Sequence, residues 1–374
     1  DMDSFICSIS DPKEAWNQIK DLIKNRVKID YNPDNNGKRK SSYSKLRVNW
    51  QEIADNLCKK YHPFAISTKA DSFGTLYLYK EGHYTDETGF LRQEIQSLLG
   101  NRVSSFYISE IIKYMGGNLV IPPDSIDLKA TELINLENCM LNWRTGEKLE
   151  HHPKYLSTIR IPNKFDPKAE CPNIDRFLET TFDPEVIPLI EELAGYCLIP
   201  ELWTQCFVIM YGLGGNGKTR LMDIISHLVG KKNRVALSLK QIEENRFAPA
   251  RLYRKLICTG NEVTGYIQDS DIIKRLTGED ELSAETKYND PFEFENKAKM
   301  FFTSNDLPTF SAKDYGLYRR LILIPFTKTF KGEDRDPNLK QKITTFEELS
   351  GFLNRALSGL YRMKIEKKSE FTLP

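Results

Sequence analysis

The 374-residue chain has no closely spaced cysteine pair, only five histidines, almost no net charge and no long apolar run. Its seven cysteines (Cys7, Cys58, Cys139, Cys171, Cys197, Cys206 and Cys258) stand singly and are odd in number. That excludes a disulfide-stapled secreted scaffold and points to a reducing, cytoplasmic compartment, with the thiols serving as small buried hydrophobes. Of the histidines (His62, His83, His151, His152 and His227), only the 151–152 pair adjoins, and it lacks cysteine or carboxylate partners at ligand spacing, so no structural zinc is expected. Lys and Arg number 53 against 52 Asp and Glu, a formal charge of +1. The balance excludes a histone-like binder; any polyanion has to be gripped by a local patch. No apolar run approaches the roughly 20 residues that cross a bilayer, and no signal peptide is expected. The first residue is Asp1 rather than Met, from which we expect a piece of a longer chain with further activities upstream.

What is present suffices for a sizeable core. Hydrophobic residues make up 40% and aromatics 11%, and the length allows two or three domains of about 150 residues each. Trp16, Ile19, Leu22 and Ile23 lie at helical spacing behind Asp11, a suitable N-cap, so residues 12–28 read as a helix. A polar, turn-rich linker with the basic run Lys38-Arg39-Lys40 follows. From Val48 to Tyr61 the pattern is again helical, Phe73 to Tyr84 alternates around Glu81-Gly82 like a hairpin, and helices are expected over 86–99 and 104–115. Asn142-Trp-Arg-Thr-Gly146 marks a turn between short strands, and 171–198 is helical.

The second half changes rhythm. Gln205–Tyr211, Leu256–Thr259, Met300–Thr303 and Leu321–Pro325 are short apolar runs separated by longer polar or helical stretches, the pattern of a parallel sheet with crossover helices. Two helical segments are expected beyond Phe330, ending near Lys364.

Between the first of these strands and an amphipathic helix lies Gly212-Leu-Gly-Gly-Asn-Gly-Lys-Thr219, a full GxxxxGK[ST] pattern in its proper setting. Gly214, Gly215 and Gly217 let the backbone turn tightly so that its N–H groups, with that of Asn216, converge on phosphate oxygens. The following helix adds its positive end. Lys218 can reach the β- and γ-phosphates, and the Thr219 hydroxyl can complete coordination of Mg²⁺. An acid at the end of a neighbouring strand should orient the attacking water and help hold the metal; Leu256-Ile-Cys-Thr-Gly-Asn-Glu262 supplies Glu262, preceded by Asn261 where many such ATPases carry Asp. Asn305, after the strand Lys299–Ser304, can hydrogen-bond the γ-phosphate or the water. Arg319 and Arg320, just before the last strand, can project into a neighbouring subunit's site. The bland alternatives are a solvated strand-end glutamate, a turn asparagine and a surface ion pair.

The series resembles the superfamily 3 helicases, specifically the helicase portion of phage, plasmid and poxvirus primase-helicases. The likeness includes Ile273-Lys-Arg-Leu-Thr-Gly-Glu-Asp280, Lys297-Ala-Lys-Met-Phe-Phe-Thr-Ser-Asn-Asp-Leu-Pro308 and Arg319-Arg-Leu-Ile-Leu-Ile-Pro-Phe326. Upstream it takes in Asn135-Leu-Glu-Asn-Cys-Met-Leu-Asn-Trp-Arg-Thr-Gly146 and Phe165-Asp-Pro-Lys-Ala-Glu-Cys-Pro172. The resemblance implies an α/β fold: an AAA+ type P-loop NTPase core, a parallel sheet flanked by helices, with an N-terminal mixed α/β region and C-terminal helices. The expected divisions are 1–45 (helix and linker), 46–165 (mixed α/β), 166–200 (helical collar), 201–330 (ATPase core) and 331–374 (C-terminal helices). By motif position Lys218 and Thr219 match the phosphate loop, Glu262 the acidic strand end, Asn305 the sensor and Arg320 the arginine finger, with Arg319 in reserve.

The same resemblance implies ATP and Mg²⁺ as cofactors, a homo-oligomeric ring of six subunits, 3′ to 5′ movement on single-stranded or forked DNA, a viral or plasmid source, and a primase or polymerase module upstream or in trans. A DNA-touching hairpin is implied at about Glu281 to Glu295, where Lys287 can pair with a phosphate and Tyr288 can stack on a base. The alternatives left standing are a nucleotide-gated DNA-binding scaffold that recruits a primase without processive unwinding, and a small-molecule kinase, for which no acceptor motif is found.

Overall fold

The computed structural model describes residues 49–66, 75–117, 119–122, 125–260, 270–278, 280–287, 291–306, 315–332 and 335–374. The expected helix at 12–28, the linker with Lys38–Lys40, Asn261, Glu262 and Tyr288 lie outside the described residues.

A four-stranded sheet of order β3-β2-β1-β4 opens the described chain, built from β1 (Phe64–Ile66), β2 (Thr75–Lys80), β3 (His83–Thr85) and β4 (Val120–Ile121). The anticipated β2–β3 hairpin turns at Glu81 (φ 51°) and Gly82 (φ 85°), the left-handed pair that matches the strands' twist. Helices α1 (Trp50–Tyr61), α2 (Gly89–Leu99) and α3 (Ser105–Gly117) bury Leu57, Leu91, Ile95, Ile111 and Met115 against Leu78 of β2.

Strands β5 (Leu133–Asn135), β6 (Met140–Asn142) and β7 (Lys148–Leu149) form an antiparallel meander. Asn142 Oδ1 accepts from the N–H groups of Arg144 (3.0 Å) and Thr145 (3.2 Å), closing the expected turn. Ile134, Leu141 and Trp143 of this meander pack into the largest core of the molecule, together with α4 (Pro172–Thr181) and α5 (Ile187–Tyr196).

The second half forms a five-stranded parallel sheet of order β14-β8-β13-β10-β9: β8 (Phe207–Tyr211), β9 (Arg234–Ala236), β10 (Ile257–Gly260), β13 (Lys299–Ser304) and β14 (Leu321–Pro325). Its crossover helices include α6 (Lys218–Val229), α7 (Leu239–Glu244) and α8 (Ser270–Thr277). Both faces are covered. Val208 and Met210 of β8 join the core with Leu221, Ile224 and Leu228 of α6, whereas Phe207 and Ile209 face Leu237, Ile242, Leu252 and Leu276. This explains why the strands read as unbroken apolar runs. Strand β9 escapes that signal because only Val235 of its three residues is buried.

A hairpin of β11 (Glu281–Ala284) and β12 (Phe292–Glu295) is inserted between α8 and β13. After β14 come α9's successors, α10 (Leu339–Ile343) and α11 (Phe346–Tyr361), where α9 is the short helix Tyr315–Tyr318. Helix α11 lies on α5 through glycines: a Cβ on Gly359 would stand 2.5 Å from the Glu191 carbonyl, and one on Gly195 would meet Ala356 O. The Glu348 carboxylate of α11 also accepts from the backbone N–H groups of Asn173 (3.1 Å) and Ile174 (3.0 Å), capping the exposed donors of the first turn of α4. Among the described helices, none is long and apolar enough to cross a membrane.

Candidate nucleotide site

The loop after β8 sits at the carboxyl edge of the sheet, where β8 has a neighbour on each side and the chain leaves for the far edge at β9. Such a switch point leaves a crevice for a ligand. Gly217 takes a left-handed φ of 98°, so α6 can begin directly at Lys218. There a Cβ would also come within 3.1 Å of the Phe177 ring, which fixes the loop from behind. Gly215 is left-handed too (φ 76°), and a Cβ on Gly212 would strike Asn216 Nδ2 and Phe326 O. The Asn216 amide is buried and donates to Phe326 O at 3.3 Å. These constraints account for the residue types of the motif, except at Gly214, where a side chain would meet nothing within 4 Å.

Lys218 is buried against this loop. Its ammonium donates to Gly212 O, to Leu213 O at 3.1 Å and to Asn305 Oδ1 at 3.2 Å. Strand pairing explains the meeting with Asn305: Ser304, the last residue of β13, is level with Tyr211, the last of β8, and Gly212 N donates to Ser304 O at 3.1 Å. Asn305 and Thr219 are exposed at this edge. Thus Lys218, Thr219, Asn305 and the 212–217 backbone come together. Glu262 lies outside the described residues, two positions beyond the end of β10 at Gly260 in sequence.

The two arginines sit elsewhere. Leu321 at the start of β14 is level with Phe207 at the start of β8, so Arg319 and Arg320 lie at the amino edge, one five-residue strand from the phosphate loop. At about 3.3 Å per residue that is roughly 16 Å, out of reach of the loop in the same chain. Arg320 is folded inward, donating to Gly316 O at 2.7 Å and Gln205 Oε1 at 2.8 Å, whereas Arg319 is exposed.

The anticipated hairpin is present. Leu282, Ala284 and Phe294 anchor it in the core, and Tyr253 packs its ring against Phe292 and Phe294. Glu281, Glu293 and Glu295 are exposed along its stem, and Lys287 is exposed beyond β11. No group of three or more candidate metal-ligating His, Cys, Asp or Glu side chains occurs among the described residues; His151 Nε2 is instead paired with Leu136 O at 2.9 Å, and His152 caps Lys154 N.

Sequence reasoning missed the segment after β14. Phe326 N donates to Tyr211 O at 2.7 Å and Phe330 N to Gly215 O at 3.0 Å, so residues 326–330 run beside the 212–217 loop. The polar triplet Thr327-Lys328-Thr329, bracketed by two phenylalanines, was the available signal.

Known proteins agree with this architecture. A family model described as D5 N terminal like matches residues 17–183, and that of a family of unknown function (DUF5906) matches 210–320. The Acanthamoeba polyphaga mimivirus protein named "Putative helicase L207/L206" is 29% identical over 166 residues, which are 42% of this chain and 17% of that protein. The chain therefore spans less than a fifth of that relative's length. Apo structures of the NrS-1 C-terminal region superpose with a TM-score of 0.54 at 17% identity, covering 87% of this chain and 74% of the other, and with 0.53 at 16% identity, covering 86% and 75%. At such identities the likeness is one of fold. These neighbours support a mixed α/β fold with a parallel sheet and helices.

Proposed function

We propose that residues 201–330 form an AAA+ type P-loop ATPase core of the superfamily 3 kind and that the chain is a DNA helicase working as a ring, with six subunits the expected number. The observation that carries this reading is the convergence of Lys218, Asn305 and the glycine-shaped loop at the carboxyl edge of β8. The loop N–H groups and the positive end of α6 receive the phosphates, and the Lys218 ammonium leaves Gly212 O for the β- and γ-phosphates. Thr219, exposed in the first turn of α6, and Glu262 would hold Mg²⁺, which neutralises phosphate charge when bound. Glu262 orients the attacking water, and Asn305 reports whether a γ-phosphate is there.

At roughly 16 Å from their own loop the arginines cannot serve their own chain's nucleotide, which is consistent with service to a neighbour's. Arg319, exposed, is then the group that reaches across, and Arg320 holds the turn that carries it. Single-stranded DNA passes the hairpin, where Lys287 and Tyr288 touch phosphate and base. Movement 3′ to 5′ and a primase module upstream or in trans belong to the same reading.

The acidic stem of the hairpin favours a second reading, a nucleotide-gated scaffold that grips DNA without translocating. Among the described hairpin residues Lys287 is the one cation, against Glu281, Glu285, Glu293 and Glu295. Displacement of a strand from forked DNA separates the two: a motor needs hydrolysable ATP, and a scaffold works equally with a non-hydrolysable analogue. In the motor reading Lys287→Ala keeps basal hydrolysis and loses both DNA stimulation and displacement.

A further inference from the structure

The segment that follows β14 is pinned to the phosphate loop at both ends. At one end Phe326 N donates to Tyr211 O (2.7 Å) and Asn216 Nδ2 to Phe326 O (3.3 Å); at the other, Phe330 N donates to Gly215 O (3.0 Å). Between these anchors Thr327, Lys328 and Thr329 are all exposed. The anchors themselves are rigid: the Phe326 ring packs on Phe182 at 4.8 Å, Phe182 on Phe177 at 6.5 Å, and Phe177 lies directly behind Gly217. Lys328 Nζ reaches toward Phe182 O at 3.5 Å, the outer limit of a hydrogen bond, so little is lost when it leaves for a stronger acceptor.

Sheet order says which end of a nucleotide this segment meets. Asn305 follows β13 and Lys328 follows β14, and these strands flank β8 on opposite sides. Asn305 meets Lys218 on the β13 side, which in the proposed function is the side of the terminal phosphate. The β14 side therefore faces the nucleoside end. We infer that residues 327–329 are the nucleoside-end subsite of the phosphate loop, with Lys328 binding the α-phosphate and the threonine hydroxyls available to the ribose.

This inference rests on the nucleotide reading of the loop and adds to it a group common to di- and triphosphates. The bland role for Lys328, holding the Phe182 carbonyl at the end of α4, predicts a change in stability and none in affinity.

Calorimetric titration of the full chain with ATP and with ADP, in wild type, Lys328→Ala, Lys328→Arg and Asn305→Ala, tests it, with thermal melts as a folding control. Lys328→Ala should weaken ATP and ADP by the same factor, about tenfold, as expected for loss of a charged hydrogen bond. Lys328→Arg should recover most of the loss, and Asn305→Ala should weaken ATP alone. Unchanged affinity in Lys328→Ala, or a loss confined to ATP, overturns the subsite. Failure of the wild-type protein to bind either nucleotide would instead remove the nucleotide reading on which it stands.

Discussion

The Lys218 ammonium donates to Asn305 Oδ1 at 3.2 Å, joining the start of α6 to the end of β13 across the carboxyl edge of the sheet. If the proposed nucleotide reading holds, both side chains face the γ-phosphate, and each should matter differently to its presence. Asn305→Ala should leave ADP affinity unchanged while lowering ATP affinity and turnover, since only the triphosphate offers the acceptor that the amide can address. Paired binding curves for the two nucleotides check this; an equal loss for both would place Asn305 away from the terminal phosphate.

Arg319 and Arg320 are neighbours in sequence with opposite fates. Arg320 is buried and donates to Gly316 O and Gln205 Oε1, and its own carbonyl accepts from Phe207 N at 2.8 Å. Arg320→Ala should therefore lower thermal stability, by about 1–3 kcal/mol for a lost charged hydrogen bond in a buried setting. Arg319→Ala should leave the melting temperature in place and lower turnover by a factor on the order of a thousand. Mixing Arg319→Ala with Lys218→Ala subunits is decisive: if the arginine works across an interface, mixed rings regain part of the activity that neither variant has alone. No recovery at any ratio speaks against a shared site.

The α5–α11 crossing depends on two absent side chains. Gly195 faces Ala356 O, with Leu360 N at 2.7 Å from where its Cβ would be, and Gly359 faces the Glu191 backbone. Gly195→Ala should cost about 1–3 kcal/mol in urea unfolding through overpacking. Gly89→Ala, at an exposed helix start with nothing within 4 Å, should be neutral or mildly stabilising. Equal stabilities for the two variants would mean the helices do not approach this closely.

Lys299 opens β13 fully buried, over the Tyr196 ring at 4.7 Å and donating to Ile199 O. Burial pushes its ammonium down from 10.5 to about 8. Between those two values the unfolded chain holds a proton that the folded one lacks, so this residue's contribution to stability increases as pH rises through the window, and its full cost persists below pH 8. Relative to Lys299→Met, the wild-type protein should gain at most about 1.4 kcal/mol per pH unit there. Urea unfolding from pH 7.5 to about 9.5 reads the slope. Burial raises the thiol pKa of Cys197 and Cys206 in both proteins, and the Lys299 charge lowers it in the wild type alone, so their opposite effect is reduced in the difference without vanishing from it. Parallel curves would mean Lys299 is solvated.

Much of this was legible before any coordinates. Gln205–Tyr211 and the three later apolar runs gave four of five parallel strands because a sheet covered on both faces leaves no polar alternation. Glu81-Gly82 and Asn142–Gly146 marked turns through residues that tolerate left-handed backbone or cap their own loop. Strand β9 was illegible because only Val235 of its three residues is buried. The inward turn of Arg320 was illegible as well, since its partner Gln205 is 115 positions away and no local pattern records such a pairing. The Thr327–Thr329 segment acquires meaning only once β14 is placed beside β8.

The proposed function requires a loop that hydrolyses ATP in the service of DNA. Its most direct test is the ATP turnover of the full chain with and without single-stranded DNA, in wild type and Lys218→Ala. DNA should stimulate turnover in the wild type, and Lys218→Ala should abolish it under both conditions. Turnover that survives Lys218→Ala, or a folded wild-type ring that binds DNA and never hydrolyses ATP, would contradict it.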